Sequence, residues 1–300
     1  MTTGKMHADE PDIDAVLVRH LVRAQFPQWA DLPIEAFASA GTDNAIYRLG
    51  DDMAVRLPRL ERVVSQIEKE QRWLPVLAPR LPLGLSLPLA AGVPAEGFPW
   101  PWSVYRWLPG ESAATGSLDD PTEAARALAG FLHALQALDI AGGPEPSPEN
   151  FRRGLPLAHR DAATRRAIGE LEGRVDTSAA TGAWEAALRA PGWERAPVWV
   201  HGDLLPGNLL VHEGRLNAVI DWGGLGVGDP AVDLITAWSL FSVDSREAFR
   251  AALDVDEATW ARGRGWALSI ALIALPYYWD TNPGFARVAR RTLEEVLAAQ

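Results

Sequence analysis

Val198 to Leu234 reads VWVHGDLLPGNLLVHEGRLNAVIDWGGLGVGDPAVDL and brings His201, Asp203, Asn208 and Asp221 into one short span. Val198–Val200 leads into a polar loop and Leu209–His212 leaves it. Glu213-Gly214 marks a turn, and Leu216–Ile220 runs back to end at Asp221. The pattern predicts strand, loop, strand, turn, strand, with polar side chains at the strand ends. A carboxylate in such a loop, as at Asp203, can accept a proton from a hydroxyl. Asn208 offers a neutral amide oxygen and Asp221 a charged one. A hard ion such as Mg²⁺ takes oxygen ligands and keeps several waters, so one or two protein oxygens plus substrate phosphates suffice. A base-like Asp, oxygen ligands and little covalent chemistry from the protein form the set that phosphoryl transfer calls for. Taken singly, each of these residues reads equally well as a turn or cap residue; the spacing is what joins them.

His201-Gly202-Asp203-Leu204-Leu205-Pro206-Gly207-Asn208 resembles the kinase catalytic loop H-R-D-x-x-x-x-N with Gly in place of Arg, and Asp221-Trp222-Gly223 resembles D-F-G with Trp for Phe. The H-G-D form, followed by Ile220-Asp221-Trp222 and then by Gly228-Asp229-Pro230-Ala231-Val232-Asp233-Leu234, is similar to the aminoglycoside phosphotransferase family, part of the protein-kinase-like fold. The resemblance implies an α+β, two-lobed protein-kinase-like fold. A small antiparallel-sheet lobe over residues 1–108 would bind nucleotide, and a mainly helical lobe over 109–300 would carry catalysis and acceptor binding, with ATP or GTP between them. It implies Asp203 as catalytic base, Asn208 and Asp221 as Mg²⁺ ligands, and His201 as a brace for the loop. Asp229 and Asp233 are expected to cap or brace a helix starting near Pro230, since Asp favours a helix start.

Upstream, apolar residues at helical spacing (Ile13, Val16, Leu17, Leu21) predict a helix over 11–25 that starts near Pro11 and Asp12. Strand-like Ile34–Ala38, a loop over 39–44, and strands at 45–49 and 53–57 follow. By resemblance the loop covers the nucleotide phosphates, which makes Gly41, Thr42 and Asn44 candidates; read alone, it is a plain hairpin loop. Arg56 stands where kinases place the strand lysine that pairs the phosphates, keeping the charge but changing a point charge to a planar fork. A helix Gln66–Leu77, broken at Pro75, offers Glu70 as ion-pair partner for Arg56, with Glu68 as second choice; a solvated helix face is the alternative for both. Residues 79–102 read as irregular strands. Ser103–Leu108 reads as a strand whose backbone near Arg106 and Leu108 is, by position in the family, the adenine contact.

Downstream, helices are expected at Pro121–Ala137, Leu157–Glu172, Thr177–Arg189, Pro230–Phe241, Arg246–Leu253, Glu257–Ala274 and Phe285–Ala299, with a long loop at 141–156 and an aromatic loop at 276–283. By resemblance the region after 141 builds part of the acceptor pocket. Tyr277, Tyr278, Trp279 and Asp280 are acceptor-binding candidates. Most of the 13 tryptophans are expected in the core.

The formal net charge of −11 argues against a nucleic-acid partner and fits a cationic small-molecule acceptor, although an acidic surface also simply keeps a protein soluble. With no cysteine there is no disulfide, thiolate metal site or Cys nucleophile. The first dozen residues lack the apolar segment of a signal peptide and no run of eighteen apolar residues occurs, so a cytoplasmic protein without a membrane partner is expected. Oligomeric state is not legible. The rival readings are a kinase for a macrolide, choline, homoserine or a sugar; a nucleotide-binding module without transfer; and a metal-dependent hydrolase. The last is the weakest, because His201-x-Asp203 lacks further ligands.

Overall fold

The computed structural model describes residues 11–37 and 43–298. The backbone groups into two compact units. The first runs to Pro79 and resumes over Gly84–Pro109; the second takes Arg80–Leu83 and everything from Gly110 on.

The first unit opens with α1 (Ala15–Gln25), which starts later than the sequence pattern indicated. Asp14, not Asp12, is the cap, accepting from the N–H of Val16 and Leu17 at 3.0 and 2.8 Å. A five-stranded antiparallel sheet follows, made of β1 (Ile34–Phe37), β2 (Asn44–Leu49), β3 (Met53–Pro58), β5 (Pro88–Gly92) and β6 (Trp102–Arg106) in the order β1-β2-β3-β6-β5. The short β4 (Gly84–Leu85) precedes β5. Every residue of β3 is buried, because a central strand has helices to meet on both faces. Strand period sorts the side chains. Ala45, Tyr47, Leu49, Met53, Val55, Leu57, Trp102 and Val104 join Val18, Leu21 and Val22 of α1 in one apolar cluster. Arg56, Ser103 and Tyr105 point the other way, to α2 (Val64–Leu77). The sheet thus has a helix on each face, α1 and α2, where helices were expected over 11–25 and Gln66–Leu77. Gly92 is required opposite Trp102, since a Cβ there would lie 2.1 Å from the indole. Helix α2 is not broken at Pro75: the proline is exposed in the last turn, where it removes only the bond to the Gln71 carbonyl.

The second unit is mainly helical: α3 (Pro121–Gln136), α4 (Asp161–Glu170), α5 (Thr177–Leu188), α6 (Thr236–Ser239), α7 (Val243–Leu253), α8 (Glu257–Tyr278) and α9 (Pro283–Ala298). Its strands are β7 (Glu111–Ser112), β8 (Val198–Val200), β9 (Leu209–His212), β10 (Arg215–Val219) and β11 (Gly226–Gly228). β9 and β10 form a hairpin through Glu213 and Gly214, both at positive φ (49° and 71°), the geometry of a tight two-residue turn. β8 pairs antiparallel with β11. Helix α8 is apolar around most of its circumference and therefore central. Gly263 and Gly265 let Leu234 and Leu157 approach within 2.6 and 2.5 Å of where a Cβ would stand.

Two helix expectations are corrected here. Pro230–Ile235 is a 3₁₀ stretch, followed by the single turn α6, because Asp233 and Thr236 bond side chain to backbone across the loop after β8 and tighten the segment. Residues 276–278 are the end of α8 rather than an aromatic loop; Pro276 falls in its last turn, where a missing N–H is tolerated. Six tryptophans are fully buried and the other seven half-buried. No helix among the described residues is long and apolar enough to cross a membrane.

Candidate active site

The loop between β8 and β9 is built from the inside out. His201 is fully buried. Its Nε2 lies 3.1 Å from the Ile220 carbonyl and its Nδ1 accepts the Asp203 N–H at 3.2 Å, which assigns the proton to Nε2. The ring meets Trp222 edge-on at 4.5 Å. Asp233 receives the N–H of His201 at 2.8 Å and of Gly202 at 2.7 Å, one on each oxygen. Burial pushes the Asp233 carboxyl up to about 7, against the pull of those two backbone bonds. Asp233 thus braces the loop after β8, not a helix start. Asp229 is the residue that caps, accepting from Ala231 N–H at 3.0 Å, and it also pairs with Arg262 Nε at 2.7 Å and Nη2 at 3.1 Å.

Gly202 sits at φ +83°, and a Cβ on it would lie 2.4 Å from the Gly224 carbonyl oxygen, so the glycine is dictated by close backbone approach. Asn208 Nδ2 donates to the Asp203 carbonyl at 2.8 Å and to Asp203 Oδ2 at 3.0 Å. The amide nitrogen is thereby committed to Asp203, and the oxygen is the end left to ligate. The Asn208 carbonyl accepts Ile220 N–H at 2.9 Å, which seats the loop beside Asp221. Asp221 itself is exposed, at φ 60° and ψ 72°. A left-handed Asp is strained, and such strain persists where the surroundings fix it; here Trp222, buried against His201 and Phe131, does the fixing. Asp203, Asn208 and Asp221 are thus brought together through His201 and Ile220. Two hard oxygen donors, Asn208 and Asp221, suit an ion whose other ligands are water and phosphate. Among the described residues no group of three or more His, Asp or Glu forms a protein-only metal cage.

Arg153 was not singled out by the sequence. It is 8 % exposed, and its Nη2 lies 3.3 Å from Asp203 Oδ1. Its Nε and Nη1 are buried without a hydrogen-bond partner. Burial lowers its pKa, with Asp203 and Asp233 pulling it back. Its guanidinium stands 5.7 Å from the Trp266 ring, which also carries Arg160 at 5.4 Å. Arg160 is pushed down to about 9 by burial and then by the charge of Arg153. The loop that delivers Arg153 is strained at Phe151 and Arg152, which sit at positive φ (56° and 57°), while Gly154 takes φ 86° as a glycine can. It lies on β11, where Val227 N–H donates to Pro144 O and Asp229 N–H to Gly154 O, both at 2.9 Å. A Cβ on Gly228 would meet the Gly154 carbonyl oxygen at 2.4 Å. The sequence signal for this contact was Gly226-Val227-Gly228, glycines in a strand marking a close backbone approach.

In the first unit, Arg56 Nη1 meets Glu70 Oε1 and Oε2 at 2.9 and 2.8 Å, and Tyr105 Oη donates to Glu70 Oε2 at 2.6 Å. Glu68 is exposed and Glu70 buried. The Asn44 carboxamide, oriented oxygen-first, accepts from Arg56 Nε at 3.1 Å and Nη2 at 2.9 Å. Burial, then the charge of Glu70, raises the Tyr105 hydroxyl well above its usual value. Gly41 and Thr42 lie outside the described residues. The N–H of Arg106 is spent on Leu87 O at 2.8 Å and that of Trp107 on Asp52 O at 2.7 Å. Tyr277 and Tyr278 pack edge to face at 4.7 Å on the last turn of α8. The Trp279 ring carries Arg174 and Arg290 at 5.0 and 4.8 Å, and Asp280 is exposed. The two arginines already engage the Trp279 ring, so this group is first of all packing.

A family model described as the phosphotransferase enzyme family matches residues 35–266. An aminoglycoside 3'-phosphotransferase of Escherichia coli is 30% identical over 115 residues, 38% of this chain; the match spans 41% of that protein. Among solved structures, the GDP complex of wild-type aminoglycoside 2'-phosphotransferase-IIIa superposes with a TM-score of 0.73 at 19% identity, covering 96% of this chain and 99% of that one. The apoenzyme of macrolide 2'-phosphotransferase MphH from Brachybacterium faecium gives 0.62 at 24% identity, covering 94% and 98%. At these identities the likeness to solved structures establishes the α+β kinase-like fold.

Proposed function

The chain belongs to the phosphotransferase enzyme family and is a small-molecule phosphotransferase, and from that premise we propose that it moves the γ-phosphate of ATP or GTP to a hydroxyl of a small molecule, an aminoglycoside-type antibiotic being the first candidate. The observation that carries the reading is the hydrogen-bonded triad of Asp203, Asn208 and His201 with Asp221 held beside it. Asp203, half-exposed and fixed at both oxygens, orients the acceptor hydroxyl and takes its proton late in the transfer. Asn208 and Asp221 would hold Mg²⁺, which when bound supplies charge neutralisation on the β- and γ-phosphates. Arg56, kept in place by Glu70 and Asn44, is assigned to the α- and β-phosphates. Catalysis on this reading is mainly positioning and electrostatics. The net charge of −11 and the names of the relatives support a polycationic acceptor.

The test is turnover of ATP or GTP with Mg²⁺ against a panel of aminoglycosides, macrolides and amino-alcohols. Acceptor-dependent turnover that Asp203→Ala lowers by at least 100-fold, with nucleotide affinity kept within threefold, is the expected result. Turnover that survives in Asp203→Ala overturns the base assignment. Tight nucleotide binding with no turnover favours the binding-module reading.

A further inference from the structure

We propose that Arg153 is a positioning residue for Asp203, supplying from the 141–156 loop the cation that a kinase loop of the H-R-D type carries beside its own Asp. The inference rests on the proposed role of Asp203. The sequence has Gly202 where that pattern has arginine, and the backbone explains why no side chain fits there: a Cβ on Gly202 would come 2.4 Å from Gly224 O and 3.0 Å from the Cβ of Arg153. The space beside Gly202 is thus filled by Arg153 itself. Its Nη2 holds Asp203 Oδ1 at 3.3 Å, while Asn208 Nδ2 holds Oδ2 at 3.0 Å. Arg153 holds the carboxylate from one oxygen and Asn208 from the other, which favours a single orientation. Removing either donor loosens the hold on its terminal torsion, which is soft and two-fold.

A purely structural arginine fits these observations poorly. Buried donors without partners cost stability, yet Nε and Nη1 of Arg153 are both buried and unpartnered. The Trp266 ring that carries Arg153 also carries a second guanidinium, Arg160, so two like charges share one indole. Two non-glycine residues at positive φ just before it, Phe151 and Arg152, add backbone strain. A position that is costly on three counts and lies against the candidate base is what a functional residue looks like, because sites trade stability for geometry.

The experiment compares Arg153→Met, Arg153→Lys and Asp203→Ala with the wild type by turnover, thermal unfolding and crystallography. The expected result for Arg153→Met is a kcat at least 10-fold lower, nucleotide KM within threefold, and an unfolding temperature equal to or above wild type. Arg153→Lys, which keeps a charge within reach of Oδ1, recovers at least a third of the wild-type kcat. In the crystal structure of Arg153→Met, the Asp203 carboxylate leaves its contact with Asn208. The structural readout stands even with no acceptor in hand. A kcat within twofold of wild type, an Asp203 carboxylate unmoved from Asn208, or a loss of kcat matched by a fall in unfolding temperature overturns the proposal. Turnover retained in Asp203→Ala overturns the base assignment beneath it; turnover lost there but kept in Arg153→Met overturns the positioning role alone.

Discussion

Replacing Glu70 by alanine should unsettle the first unit far more than an ordinary surface change. Glu70 is 1 % exposed and accepts three bonds, two from Arg56 Nη1 and one from Tyr105 Oη. Arg56, 9 % exposed, stays inside with Asn44 still on it but with its counter-charge gone, and the Tyr105 hydroxyl loses its acceptor. Breaking a buried pair in this way costs about 3–5 kcal/mol. With a urea slope of about 2 kcal/mol/M, the midpoint falls by roughly 1.5–2.5 M. A double variant, Arg56→Met with Glu70→Leu, removes both charges and replaces them with apolar volume, so it should return to within about 1 kcal/mol of wild type, since paired removal avoids the orphaned charge. Equilibrium unfolding followed by tryptophan fluorescence reads both. A Glu70→Ala cost below about 1 kcal/mol at unchanged slope would show that the pair behaves as a solvent-screened one and would refute the burial argument. A double variant as unstable as the single would refute the charge argument in favour of lost packing.

Other changes test the second unit. Gly202→Ala forces a Cβ against Gly224 O at φ +83° and should cost about 2 kcal/mol or more, with turnover falling in step; an alanine variant of native stability would mean that the backbone yields easily. Asp233 titrates near 7 in the folded chain and near its ordinary value of 3.8 unfolded, so the folded state holds the extra proton and wild type gains stability as pH falls from about 7 to 4. The slope is about 1.4 kcal/mol per pH unit in that window. Asp233→Asn should lack this gain and, by setting an NH₂ against a backbone N–H, lose about 1–3 kcal/mol; parallel pH series of unfolding midpoints that ran level would contradict it. Pro276 sits in the last turn of α8, where the missing N–H is tolerated, so Pro276→Ala should move the unfolding temperature by less than about 2 °C in a scanning experiment; a larger rise would mean that the proline strains the helix.

The architecture was legible where local chemistry decides it. The H-G-D to D-W-G spacing named the hairpin and its polar ends, because strand period and turn residues are local signals. Glu70 could be preferred to Glu68 only by resemblance; the structure shows why, since one faces the buried side of β3 and the other faces water. The misplaced elements failed for non-local reasons. Pro75 and Pro276 read as breaks, yet each falls in a last turn where the lost hydrogen bond matters little. The 230–241 stretch looked helical, but Asp233 and Thr236 answer to the loop after β8 rather than to their own helix. Arg153 escaped notice because its meaning lies in a contact with Asp203, 50 residues away. A single sequence carries no trace of such a contact beyond the glycines that make room for it.

Those glycines have a consequence for anyone who would rebuild the enzyme. Gly154 and Gly228 touch backbone to backbone, and Asp229 N–H closes the contact on Gly154 O. The loop and the strand beneath it are therefore a matched pair, and neither can be exchanged alone. A transplant of residues 141–156 meant only to admit a new acceptor would also carry off the guanidinium beside Asp203. It would take away one of the contacts that orient that carboxylate, unless the graft keeps an Arg-Gly pair that lands on a glycine. Libraries aimed at altered specificity should hold Arg153, Gly154 and Gly228 constant and vary the turn before them.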